Sequence, residues 1–115
     1  MQKNISSETV SNEAIELIAA RFRAMGEASR LKLILAVEHG EKNVSQLVAE
    51  TGMGQPNVSK HLQTLTDAGI LARRKERMSV FYTIADPTIC RLYKQVSCSL
   101  QKRLTTQAST FGQQA

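Results

Sequence analysis

The chain has 115 residues, 42% hydrophobic but only 4% aromatic and without tryptophan, which bounds it to one domain with at most a short appendage and an aliphatic, helical core. Its net charge of +5 is concentrated in residues 55–115, where 9 Lys/Arg face 3 Asp/Glu; such a field favours a polyanion, nucleic acid first and an anionic membrane surface second. The N-terminus has no apolar run of signal-peptide length and no segment approaches the roughly 20 apolar residues of a membrane span, so the protein is expected in the cytoplasm, with no membrane partner and its two cysteines reduced.

Residues 1–10 are polar and expected to be a flexible N-terminus. From Ser11, a candidate cap, Ile15, Ile18, Phe22 and Met25 recur with helical spacing, and Ala14 and Leu17 widen the stripe. A first helix this apolar has more to bury than a small core offers, which points to a subunit contact. Gly26 ends it. Ser29 is a candidate cap for a second helix, Arg30 to Glu38, apolar on most sides and stopped by His39-Gly40. Asn43 or Ser45 starts a short third helix through Glu50, and Thr51-Gly52 turns the chain.

The fourth helix, Gln55 to Asp67, is apolar on one side only. Val58, Leu62 and Leu65 sit at i, i+4 and i+7 and form one narrow stripe, while Asn57, Lys60, Thr64 and Asp67 lie opposite, with Ser59 and Gln63 at the edge. A helix held by one stripe and showing amides, hydroxyls and a lysine is what a major-groove reader needs. Many packed surface helices share that pattern, so its neighbours decide.

After Gly69 the period changes. Val80, Tyr82 and Ile84 alternate with Ser79, Phe81 and Thr83, a strand signal; with Ile70-Leu71-Ala72 upstream this predicts a hairpin turning near Glu76 to Ser79. Four basic residues in the five from Arg73 to Arg77 would make a positive wing beside the fourth helix. Asp86-Pro87 opens a last helix with Ile89, Tyr93, Val96, Leu100 and Leu104 in one stripe. From Thr105 the period is lost and residues 105–115 are expected to be a flexible tail, apart from any docking by Phe111. The fold class is mainly α with a small β-hairpin, a winged helix-turn-helix of order α-α-α-α-β-β-α spanning residues 11–104 and dimeric through its first and last helices.

FRAMGEASRLKLILAV (22–37), VSKHLQTLTDAGIL (58–71) and the basic hairpin closing in VFYTI (80–84) resemble the ArsR/SmtB family of bacterial transcriptional repressors. The resemblance covers about residues 15–100. It implies a homodimer, a fourth helix in the major groove of a palindromic double-stranded DNA operator, wings on the flanking backbone, and release by an inducer. Carried over by position, Gln55, Asn57, Ser59, Lys60, His61 and Gln63 become the recognition face and Arg73, Arg74, Lys75 and Arg77 the wing. Asn57 and Gln63 are suited to adenine edges or to plain solvation, Ser59 and Lys60 to phosphate, and His61 either to DNA or to a structural bond with backbone.

For sensing, the sequence departs from the family it resembles. The run VSQLVAET on the third helix has no cysteine, Asp86 is followed by Thr88 rather than a histidine pair, and no histidine follows His61. Neither familiar metal site is available, and no cofactor or metal is predicted. Cys90 and Cys98, about 12 Å apart along one helix, cannot pair within a subunit. Cys90 borders the apolar stripe and Cys98 lies nearly opposite it, near Lys94 and Lys102, which makes a thiol sensor responding to oxidation or to an ion such as arsenite the candidate switch. The alternative function is a winged-helix module binding an acidic protein partner or RNA. Catalysis finds no support in the two histidines, and no Gly-rich phosphate loop or placed carboxylate pair accompanies them.

Overall fold

A computed structural model of the protein describes residues 10–111. The elements run α1 (Asn12–Met25), α2 (Ala28–Ala36), β1 (Lys42–Asn43), α3 (Val44–Thr51), α4 (Gln55–Asp67), β2 (Leu71–Glu76), β3 (Ser79–Ile84) and α5 (Thr88–Phe111). The three strands form one antiparallel sheet in the order β1-β3-β2. Its register pairs Leu71 with Ile84, Arg73 with Tyr82 and Glu76 with Ser79 across the hairpin, and Lys42 with Tyr82 on the other edge. The sheet is thus a wing attached to four helices, with α5 leaving it.

Local chemistry sets the helix ends. The Ser11 side chain accepts a hydrogen bond from the Ala14 N–H and caps α1. Asn43 and Gln46 form a reciprocal capping box that starts α3, and Gly52, in the left-handed region at φ 74°, closes it. The α4 helix begins after Gly54 with Pro56 in its first turn, where a missing N–H costs nothing. It ends in a Schellman arrangement: Ile70 N–H donates to Leu65 O, Gly69 N–H donates to Thr66 O, and Gly69 holds φ 77°. Leu65 and Ile70, which that motif brings together, are both fully buried.

The core is made where α2, α3 and α4 meet. Leu33, Ile34 and Val37 of α2, Leu47 of α3 and Val58, Leu62 and Leu65 of α4 are buried, closed by Ile70, Leu71 and Ile89. Only Ala24 and Met25 of α1 join them. Ile15, Leu17, Ile18 and Phe22 of α1 are 45–73% exposed, and Val96, Leu100 and Leu104 of α5 are 50–63% exposed. Arg21 ties α1 to the start of α5 through Asp86 at 3.0 Å. The other Asp86 oxygen accepts from Thr88 N–H, and these bonds, the Thr88 ones foremost, hold its carboxyl below the usual range.

The structure differs from the sequence reading at three places, the start of the second helix, the extra strand and the end of α5. The second helix starts two residues earlier than Arg30, after Glu27 rather than Ser29, and Glu27 makes no side-chain cap bond. A third strand, β1, joins the wing; two residues are too short to show alternation, and their partner Tyr82 is 40 residues away in sequence. The hairpin turn falls between Glu76 and Ser79 as expected, at Arg77-Met78, with Arg77 at φ 56°, a conformation usually left to glycine in two-residue turns. Finally α5 continues through Thr105 to Phe111, because loss of apolar period does not end a helix and residues 105–111 contain no glycine or proline. Residues 1–9 and 112–115, and the docking of Phe111, lie outside the described residues and side chains.

Candidate nucleic-acid interface

The stripe of α4 is fully inward, since Val58, Leu62 and Leu65 have no exposed surface. That orientation leaves Gln55, Asn57, Ser59, Lys60 and Gln63 exposed along the outer side. Among the described residues the side chains of Gln55, Asn57, Ser59 and Lys60 make no hydrogen bond or ion pair, so their donors and acceptors are available to a ligand. Gln63 is partly engaged, its amide donating to Asp67 Oδ1 at 2.8 Å.

His61 is not part of that outer side. It keeps 13% of its side chain exposed, and its Nδ1 lies 3.5 Å from an Arg30 guanidinium nitrogen and 3.7 Å from Glu27 Oε1. A guanidinium has no acceptor, so at that contact Nδ1 is the acceptor. The family resemblance placed His61 on the recognition face, while its position beside the apolar stripe left a structural role open. The structure turns it toward the start of α2.

The wing is divided in the same way. Arg73, Lys75 and Arg77 are exposed and have no carboxylate partner among the described residues. Arg74 is held on three sides. Its Nη2 and Nε donate to the two Glu41 oxygens at 2.7 and 3.2 Å, its Nη1 donates to Glu76 Oε1 at 2.8 Å, and its guanidinium lies 5.0 Å from the centre of the Phe81 ring. Those bonds push the Arg74 pKa further up and hold the Glu41 carboxyl below its usual value. The arginine that looked from sequence like one of four phosphate contacts therefore fastens β2 to the loop before β1.

Arg30 was not singled out by the sequence, yet it lies beneath this interface. Its Nε donates to Ala24 O at 2.6 Å, Nη2 donates to Arg23 O at 3.0 Å and Nη1 pairs with Glu27 at 2.7 Å beside His61. One signal was available: a cation in the first turn of a helix opposes the helix dipole, so it must be held by something else.

Of the two thiols, Cys90 is half-buried on α5, and its pKa is pushed up by burial first and by the Glu38 carboxylate second. Cys98 is exposed. On the helix it lies about 160° around from Leu100, facing away from the exposed apolar side. No cluster of three His, Cys, Asp or Glu side chains able to hold a metal occurs among the described residues, and no helix among them is long and apolar enough to cross a membrane.

The family profile described as "Bacterial regulatory protein, arsR family" matches residues 28–73, from α2 into β2. The chain is 36% identical over 85 residues to an HTH-type transcriptional regulator of Methanocaldococcus jannaschii, covering 73% of this chain and 96% of that one. It is 34% identical over 77 residues to a probable mercury resistance operon repressor of Streptomyces lividans, covering 67% of this chain and spanning 62% of that protein. In fold it is similar to the homodimeric winged helix-turn-helix DNA-binding domain of a possible ArsR-family transcriptional regulator of Mycobacterium bovis. There the TM-score is 0.73 at 24% identity, over 90% of this chain and 94% of that one.

Proposed function

The chain belongs to the arsR family of bacterial regulatory proteins, and from that membership we propose that it acts as a homodimeric, sequence-specific DNA-binding repressor of transcription. The observation that carries the proposal is the outer side of α4, where Gln55, Asn57, Ser59 and Lys60 are exposed and, among the described residues, unengaged, next to a wing with three cations that have no carboxylate partner there. In this reading Asn57 and Gln55 address base edges and Ser59 and Lys60 the phosphates. Gln63 joins them once it leaves Asp67. Arg73, Lys75 and Arg77 contact the flanking backbone, whereas His61 supports the interface from inside and Arg74 holds the wing to Glu41 at its edge. The exposed apolar sides of α1 and α5 supply the dimer contact, which places two reading helices on one duplex.

The test is binding to double-stranded DNA as a function of salt. The four cations of this interface without a carboxylate partner among the described residues, Lys60, Arg73, Lys75 and Arg77, give eight in a dimer, so log K against log salt should fall with a slope on the order of −7 on a selected palindromic duplex. A protein-interaction or RNA module would show no preference for a duplex with two half-sites one helical turn apart.

For the switch, we assign Cys98 rather than Cys90. Its thiol is exposed, while that of Cys90 is half-buried and kept protonated by burial and Glu38. The ligand class is an oxidant or a thiophilic ion such as arsenite. The Streptomyces relative's description as a probable mercury resistance operon repressor supports that chemistry.

A further inference from the structure

We propose that Arg30 is a positioning residue for DNA recognition, setting the angle between the helix that carries the dimer contact, α1, and the helix that reads DNA, α4. The inference rests on the dimeric DNA-binding reading above. Its basis is the guanidinium's partners on three helices. Two nitrogens close the last carbonyls of α1, at Arg23 and Ala24; a third meets Glu27 at the start of α2 and approaches His61 on α4.

The last turn of α1 carries one cation of its own, Arg23, and the Gly26 N–H bonds only the Arg23 carbonyl, whereas Arg30 Nε reaches the Ala24 carbonyl. Arg30 brings a positive charge to that pole, the favourable end of a helix for a cation. The planar fork has fixed donor directions, so holding two carbonyls of α1 also fixes the direction in which the remaining nitrogen faces His61. Arg30 keeps only 18% of its side chain exposed and His61 only 13%, so the link is shielded from solvent. Beside it an open cleft of about 430 Å³ separates Ala20, Arg23 and Ala24 of α1 from Thr64, Asp67 and Ala68 near the end of α4. The two helices are therefore not locked by tight packing along their length, and Arg30 stands in the gap.

In a dimer joined through α1, the tilt of α4 against α1 fixes where the two reading helices fall along the duplex. Changing the spacing of two half-sites by one base pair moves one of them by about 3.4 Å and turns it by about a tenth of a helical turn. A pair of reading helices held at a set angle discriminates against that change; a pair free to rock does not.

The experiment uses the full chain as wild type, Arg30→Gln, Arg30→Lys and His61→Gln. A palindromic duplex selected by the wild type from a random pool is remade with one base pair added to or removed from its centre. Wild type should lose on the order of tenfold in affinity on the altered spacing, a penalty like that of a mismatched pair, whereas Arg30→Gln should lose about threefold or less. Arg30→Lys, which donates without the fork, should fall between. Thermal unfolding and sedimentation of each variant separate this from loss of fold, because a merely structural role would weaken all duplexes together and leave their ratio unchanged. If Arg30→Gln does not fold, His61→Gln decides: a relaxed spacing preference supports the proposal and an unchanged one overturns it. Retention of the wild-type ratio by a folded Arg30→Gln also overturns it. If the wild type itself selects no duplex, it is the DNA-binding reading that fails.

Discussion

Arg74 and Glu41, 33 residues apart in the chain, are joined by two near-parallel hydrogen bonds of 2.7 and 3.2 Å across the edge of the wing. This pair separates a structural arginine from its neighbours, which the run Arg73-Arg74-Lys75 hides. Replacing Arg73 or Lys75 by Ala should reduce the salt slope of DNA binding by about 1 per phosphate contact removed. Arg74→Ala should leave that slope close to wild type and instead lower the melting temperature. Titrating affinity against salt for the three variants checks the division.

The same pair makes stability depend on pH. The hydrogen bond from Arg74, more than Coulomb attraction, holds Glu41 below its ordinary value of 4.5. A carboxylate with a depressed folded pKa stabilises fully above its unfolded pKa, and that stabilisation is lost as pH falls through the folded one. Glu41→Gln should therefore melt below wild type at neutral pH, with the gap closing in acid as pH falls below the ordinary carboxylate value of 4.5. Paired melting curves at neutral and acid pH, at one protein concentration, measure it.

Exposed Leu100 on α5 and Phe22 on α1 belong to the apolar sides that we assign to the dimer. Leu100→Glu would bury an unpaired carboxylate there while leaving the α2–α4 core untouched. Dimer dissociation should rise on the order of 100-fold or more. Sedimentation across a dilution series reads this directly, and circular dichroism should show an unchanged helix content per chain.

Two backbone positions make opposite predictions for glycine. Gly69 holds φ 77° at the end of α4, with Arg21 Nη2 3.7 Å from where a Cβ would stand. Gly69→Ala should cost about 1 kcal/mol, roughly 4–8 °C in melting temperature for a domain of this size. Arg77 holds φ 56° in the wing turn, so Arg77→Gly should relieve strain and raise stability by up to about 1 kcal/mol while removing one phosphate contact. Thermal melts at matched concentration should therefore move in opposite directions.

For the two thiols, operator affinity should be measured reduced, oxidised and with arsenite. Cys98→Ser should abolish any response to these treatments and Cys90→Ser should retain it, because burial keeps the Cys90 thiol protonated and shielded. A wild type indifferent to all three conditions removes Cys98 from consideration as a switch.

The sequence by itself determined the reading helix. Val58, Leu62 and Leu65 are spaced for one inward stripe, the Thr51-Gly52 turn precedes it and Gly69 follows it, and the element runs from Gln55 to Asp67 as the pattern required. The surplus apolar surface of α1 and α5 was legible for the same reason: amphipathic period is a property of neighbours along the chain, and those faces stay exposed in the folded subunit. Tertiary structure decided which polar residues remain available. Arg73 and Arg74 are adjacent and chemically alike, yet only Arg74 meets a carboxylate from another segment, and His61 turns inward because Arg30, 31 residues earlier, lies beside it. No local spacing encodes such pairings, since they depend on where α2 and the loop before β1 come to rest against α4 and the wing.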